Sequence, residues 1–154
     1  MAERYGDLEI EKISDDLQPA FKPSARTKAR KAALDILFEA EIRGRDPRTT
    51  LDEHTAEADP PVRDFTRELV RGYCEFASVI DQRIAECTTI GWTLERMPSI
   101  DRNLARIAIF EIDHTDIEPG VAIAEAVTLA SQFSTEESPA YLNGLLAKAA
   151  ATRG

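Results

Sequence analysis

The 154-residue sequence predicts an all-α fold, a compact single-domain bundle of six to seven helices. Three observations carry that expectation. From residue 25 onward apolar residues recur at three- and four-residue intervals, whereas strand-like alternation never persists. Aromatic residues make up only 6% of the chain while Ala and Leu are abundant, a balance that favours helix over pleated sheet. The periodic runs are separated by Gly and Pro, the usual punctuation of helix ends.

The first helix is expected from Ala25 to Ile42, with Ala29, Ala33, Ile36, Leu37 and Ala40 as its core stripe and Gly44 and Pro47 ending it. A short acidic helix, about residues 50–58, precedes Pro60-Pro61. The longest pattern follows: Val62, Phe65, Leu69, Val70, Tyr73, Phe76, Val79, Ile80 and Ile84 succeed one another with a period near 3.6, predicting one long helix to about Cys87, bent near Gly72. After Gly91-Trp92 a short helical turn carries Leu94 and Met97. Ser99 is read as the cap of a helix from Ile100 to His114, in which Ile100, Leu104, Ile107, Ala108 and Glu111 share a face. Pro119-Gly120 opens another helix, to about Phe133.

The last helix, SPAYLNGLLAKAA (138–150), breaks a local rule. Ser138 reads as its N-cap and Pro139 as its first residue, with Leu142, Leu145, Leu146 and Ala149 on one stripe. Yet Asn143-Gly144 sits in its middle, where Gly costs about 1 kcal/mol relative to Ala. Gly144 shares its flank with Tyr141 and Lys148. A ring, bare backbone and a cation together suit a nucleic-acid strand, while close helix packing is the alternative use of such a glycine.

Composition narrows the function. A chain of this length buries about 70% of its unfolded surface as one domain. No apolar run approaches the ~20 residues needed to cross a bilayer, and the acidic N-terminus resembles no secretory signal, so the expected location is the cytoplasm. Cys74 and Cys87 lie thirteen residues apart in one helical pattern, too far for a disulfide, and read as buried or half-buried thiols. Phosphate-cradling and nucleophile-elbow motifs are absent, as is any HExxH pair. The stretch EIDHTDIEP (111–119) reads as a helix end and loop rather than a metal site. No enzyme, cofactor or metal is expected.

The net charge of −9 is unevenly spread. Residues 1–23 read as a flexible acidic tail, residues 1–22 carrying six acids against three bases, and residues 24–154 as the helical domain. Residues 26–31, RTKARK, bring Arg26, Lys28, Arg30 and Lys31 to the start of the first helix with no acid among them. Four cations at a helix N-terminus oppose the macrodipole, which points to phosphate binding. The opposite charges of the two segments predict that the tail competes with RNA for this basic opening. Leu34 and Phe38 lie off the main stripe beside Lys31, as a core satellite or a partner surface.

The segments ARTKARKAALDILFEAE (25–41), SIDRNLARIAIFEI (99–112) and VAIAEAVTLASQFSTEESPAYLNGLL (121–146) resemble the transcription antitermination factor NusB family, and the resemblance covers Ser24 to about Ala150 in order and spacing. It implies an RNA-binding helical fold that takes single-stranded boxA RNA of nascent ribosomal transcripts together with ribosomal protein NusE, within the RNA polymerase antitermination complex. It also implies phosphate contacts from Arg26, Lys28, Arg30 and Lys31, an RNA-contacting aromatic at Tyr141 with Asn143 beside it, and an acidic position at the RNA and NusE surface at Asp101. With Lys148 these make up the expected RNA site; Leu34, Phe38 and Asp101 make up the expected protein-partner surface. The sequence departs from the family pattern at Ala124, where Asn is usual, and at Ala140, a place that can be basic. The alternative from another class is a protein-interaction module or homodimer without direct RNA binding.

Overall fold

The computed structural model describes residues 23–89 and 91–153. The acidic tail, residues 1–22 and their expected competition with RNA, lies outside the described residues. Among these the chain forms seven α-helices and one 3₁₀ turn and no strand. The helices are α1 (Ala25–Arg43), α2 (Pro47–Glu57), α3 (Asp64–Glu75), α4 (Ala77–Cys87), α5 (Ser99–His114), α6 (Pro119–Phe133) and α7 (Ser138–Ala151), with the 3₁₀ turn at Leu94–Arg96. No described helix is long and apolar enough to cross a membrane.

Local chemistry accounts for most of these boundaries. The Ser24 hydroxyl accepts from the Thr27 amide to cap α1, and Gly44 ends it in the left-handed region at φ 65°. Asp46 caps α2 and Pro47 is already its first residue, so the proline expected to stop α1 instead starts the next helix. Two expected caps are corrected. Ser99 and Ser138 lie inside their helices rather than before them, and their hydroxyls reach into the bundle, to Glu41 and Asp101 respectively.

The long pattern from Val62 to Ile84 is two helices, not one. The break falls at Phe76 (φ −112°, ψ 24°) rather than at Gly72. Gly72 has a different use: a Cβ there would lie 2.2 Å from the Phe110 ring, so only glycine lets α3 approach α5 this closely. Phe76 turns onto the end of α5, its ring stacked on His114 at 3.9 Å. Both thiols are free, Cys74 half-buried and Cys87 buried.

Helix α5 is the centre of the bundle. It packs against α1, α3, α4, α6 and α7, and burial on nearly all sides explains why ten of its sixteen residues are enclosed. Helices α1, α2 and α3 pack together on one side, and α6 and α7 pair on the other. The expected stripe of α1 is buried, and so is Leu34, at 1% exposure. Much of the polar interior is paired: Arg30 grips Glu111 through Nε and Nη2 at 2.9 and 2.6 Å, and Thr66 donates to the Ala29 carbonyl at 3.0 Å. Thr50 Oγ1 and His114 Nε2 are buried without a partner among the described residues. A second network ties α1 to α4 and α5, with Glu41 accepting from Ser99, Arg102 and Asn103, and Asp81 from Tyr73 and Arg106.

Candidate nucleic-acid interface

The start of α1 presents its cations unequally, because a helix shows successive residues to different sides. Arg26 and Lys28 are exposed. Arg26 lies over the Phe65 ring of α3, 4.2 Å from its centroid, a cation–π contact that keeps the guanidinium close to the surface. Lys31 is half-buried, 4.6 Å from the Phe133 ring at the end of α6 and paired with Asp35 at 2.9 Å. Arg30, one turn after Arg26, also lies by the Phe65 ring, at 5.1 Å, but deeper. At 3% exposure it is spent on Glu111 and on Glu125, and it is removed from the expected phosphate contacts. Burial alone would weaken its charge, and the two carboxylates more than restore it.

At the other end of the face, α7 carries Tyr141, Asn143, Gly144 and Lys148. Asn143, Gly144 and Lys148 are exposed, and Tyr141 is half-buried. Among the described residues nothing lies within 4 Å of where a Cβ would stand at Gly144, so close packing against them is not the reason for the Asn-Gly break. The Tyr141 hydroxyl is hydrogen-bonded to that of Thr88, and its ring packs against Trp92 at 5.3 Å. Burial raises the phenol above its ordinary pKa, with the Thr88 contact acting against it. Tyr141, Gly144 and Lys148, with Thr88, Thr89 and Ala140, line an open concavity of about 340 Å³.

A short run of side chains joins these two ends. Phe133, under Lys31, is followed by Ser134, whose hydroxyl donates to Asp101. Asp101 also accepts from Ser138 at 2.8 Å, one helical turn before Tyr141. Asp101 is therefore only 2% exposed and braces the α6–α7 corner. Its expected place on an exposed RNA and NusE surface is corrected: the carboxylate is enclosed by Ser134 and Ser138. Leu34 is likewise corrected from partner surface to core, leaving Phe38 half-buried beside it. One turn beyond Phe38, Ile42 is 67% exposed.

The NusB family model matches residues 27–151, which takes in Lys28 and Lys31 at one end of this face and Tyr141 to Lys148 at the other. The chain belongs to the NusB family. It is 51% identical over 124 residues to the transcription antitermination protein NusB of Acidothermus cellulolyticus, covering 80% of this chain and 85% of that one. It is 46% identical over 144 residues to the NusB of Cutibacterium acnes, covering 94% of this chain but only 55% of that longer protein. Among solved structures, NusB of T. maritima superposes with a TM-score of 0.76 at 30% identity over 86% of this chain and 94% of that one. A crystal structure of the antitermination factors NusB and NusE in complex with dsRNA shares the fold, with a TM-score of 0.68 at 21% identity over 82% and 96% of the two chains.

Relative to the NusB family pattern, both departures lie on the surface: Ala124 and Ala140 are exposed. The acids of EIDHTDIEP do not converge. Glu111 pairs with Arg30, Asp113 with Arg83, and His114 stacks on Phe76. No group of three metal-binding side chains gathers among the described residues. Sequence reasoning passed over the aromatic partners of this face: Phe65, Phe133 and Trp92. Phe65 belongs to a core period and Phe133 ends one, so neither stood out. A tryptophan next to a glycine outside any periodic run was the available signal.

Proposed function

We propose that this chain is a transcription antitermination factor that binds single-stranded boxA RNA across the face between the start of α1 and the start of α7, together with ribosomal protein NusE. The observation that supports the reading is that Lys31 lies over Phe133 and that Ser134 and Ser138 both donate to buried Asp101, a link beneath the surface that ties the corner next to Lys31 to the first turn of α7, where Tyr141 lies. Arg26, Lys28, Lys31 and Lys148 neutralise phosphates, and Tyr141 and Asn143 meet bases. Single-stranded RNA suits this division, since splayed bases stack on rings while cations follow the backbone. Phe38 with exposed Ile42 offers NusE an apolar strip on α1.

The role asks for no catalysis and no cofactor, and a nascent transcript as partner implies work in the cytoplasm within the RNA polymerase antitermination complex. Fluorescence anisotropy of labelled boxA RNA against a scrambled control, with and without NusE, tests the reading. It predicts preference for boxA and tighter binding with NusE. Absence of binding to either RNA in the presence of NusE favours the protein-interaction module or homodimer instead, and equal binding of both overturns the boxA preference.

A further inference from the structure

We propose that the concavity beside Trp92 is a second base-binding subsite for single-stranded RNA, adjoining the one at Tyr141. The inference rests on the RNA-binding reading above and extends the same strand from α7 towards α4.

Trp92 is 46% exposed, an unusual place for the residue with the largest apolar surface to cover. It is nevertheless held in position. Gly91 supplies a backbone turn at φ 92°, and the Trp92 amide donates to the Thr89 carbonyl at 2.9 Å. The indole lies against Tyr141, centroids 5.3 Å apart and planes tilted by 34°, so the two rings form one aromatic ledge rather than two isolated side chains.

Beside it lies a concavity of about 780 Å³ lined in part by Trp92, Gln82 and Glu86. Thr88, Thr89 and Lys148 line both this concavity and the smaller one at Tyr141, so the two adjoin and a strand stacked on Tyr141 has only these side chains to pass. The charges on its walls choose which part of a nucleotide enters. Lys148 is the cation on the shared rim, whereas Glu86 and Glu95 form part of the remaining wall. Carboxylates repel a phosphate backbone, so the backbone stays on the Lys148 side and a base, which presents an uncharged π-face, covers the indole.

Trp92 is the single tryptophan of the chain, so its emission reports on this position alone. The full chain is titrated with boxA RNA while anisotropy of labelled RNA reads total binding. Quenching of tryptophan emission that saturates with the anisotropy is expected. Trp92→Ala should weaken binding roughly five- to hundred-fold, the range expected for one stacked base, and Trp92→Phe should retain most of the affinity. Full RNA binding with unchanged emission and an unaltered Trp92→Ala affinity overturns the subsite and leaves the RNA-binding reading intact. Emission that responds to NusE but not to RNA assigns the indole to a protein contact and also overturns it. Absence of any RNA binding removes both the subsite and the reading on which it rests.

Discussion

Arg30 and Glu111, separated by 81 positions in the sequence, meet in a two-pronged ion pair that is shut away from water, with side-chain exposures of 4% and 1%. The pair fastens the start of α1 to the central helix α5. Because the charges compensate each other inside the bundle, removing one strands its partner. Arg30→Ala should therefore cost about 3–5 kcal/mol in urea unfolding, and an apolar pair such as Arg30→Met with Glu111→Leu should recover most of the loss. An Arg30→Ala protein of native stability with weakened RNA binding would return Arg30 to the phosphate contacts.

Two glycines make opposite predictions. Gly72→Ala forces a methyl group into the Phe110 ring, and overpacking of this kind costs about 1–3 kcal/mol. Gly144→Ala meets open space on a helix surface, so it should stabilise the protein by up to about 1 kcal/mol. Thermal melts of the two variants should move in opposite directions. RNA affinity of the stable Gly144→Ala protein then reads whether bare backbone at this position matters to the strand.

Much of this was legible in the sequence. The helical class, the order of the elements and the buried stripes of α1, α5 and α7 follow from period alone. What period does not give is how many sides of a helix will be covered. Helix α1 packs against α2, α3 and α5, so Leu34 is enclosed although it sits off the main stripe. Arg30 follows the same logic, three and four residues before buried Ala33 and Leu34, but its charge suggested the surface. Ser99 and Ser138 carried a genuine cap signature, yet their hydroxyls serve carboxylates that lie far away in sequence. Phe76 gave no sign of a break, because α3 and α4 present one continuous apolar period across it.

Glu41 links stability to pH. Burial by itself raises its pKa, but hydrogen bonds from Arg102, Ser99 and Asn103 and the Arg102 charge hold it below the ordinary value. A carboxylate depressed in the folded state contributes stability above its unfolded pKa and loses it as pH falls through the folded one. The unfolding free energy of the wild type should thus exceed that of Glu41→Gln at neutral pH, and the gap should narrow on acidification below about 4.5. A gap independent of pH would contradict this role.

Tyr141 separates ring from hydroxyl. If its ring stacks on a base, Tyr141→Ala should lose about 1–3 kcal/mol of RNA affinity. Tyr141→Phe keeps the ring and the Trp92 contact and gives up only the hydrogen bond to Thr88, so its affinity should remain near that of the wild type. Equal losses in the two variants would assign the contribution to the hydroxyl.

The most direct test of the face as an RNA site is the salt dependence of boxA binding. With Arg30 withdrawn, Arg26, Lys28, Lys31 and Lys148 remain as the proposed phosphate ligands. Four neutralised phosphates on a single strand predict a log–log slope of about −2.8, roughly fifty-fold weaker binding between 50 and 200 mM salt. Replacing Lys28 alone should lower that slope by about 0.7. A slope near zero, or one that the Lys28 substitution leaves unchanged, would contradict the account.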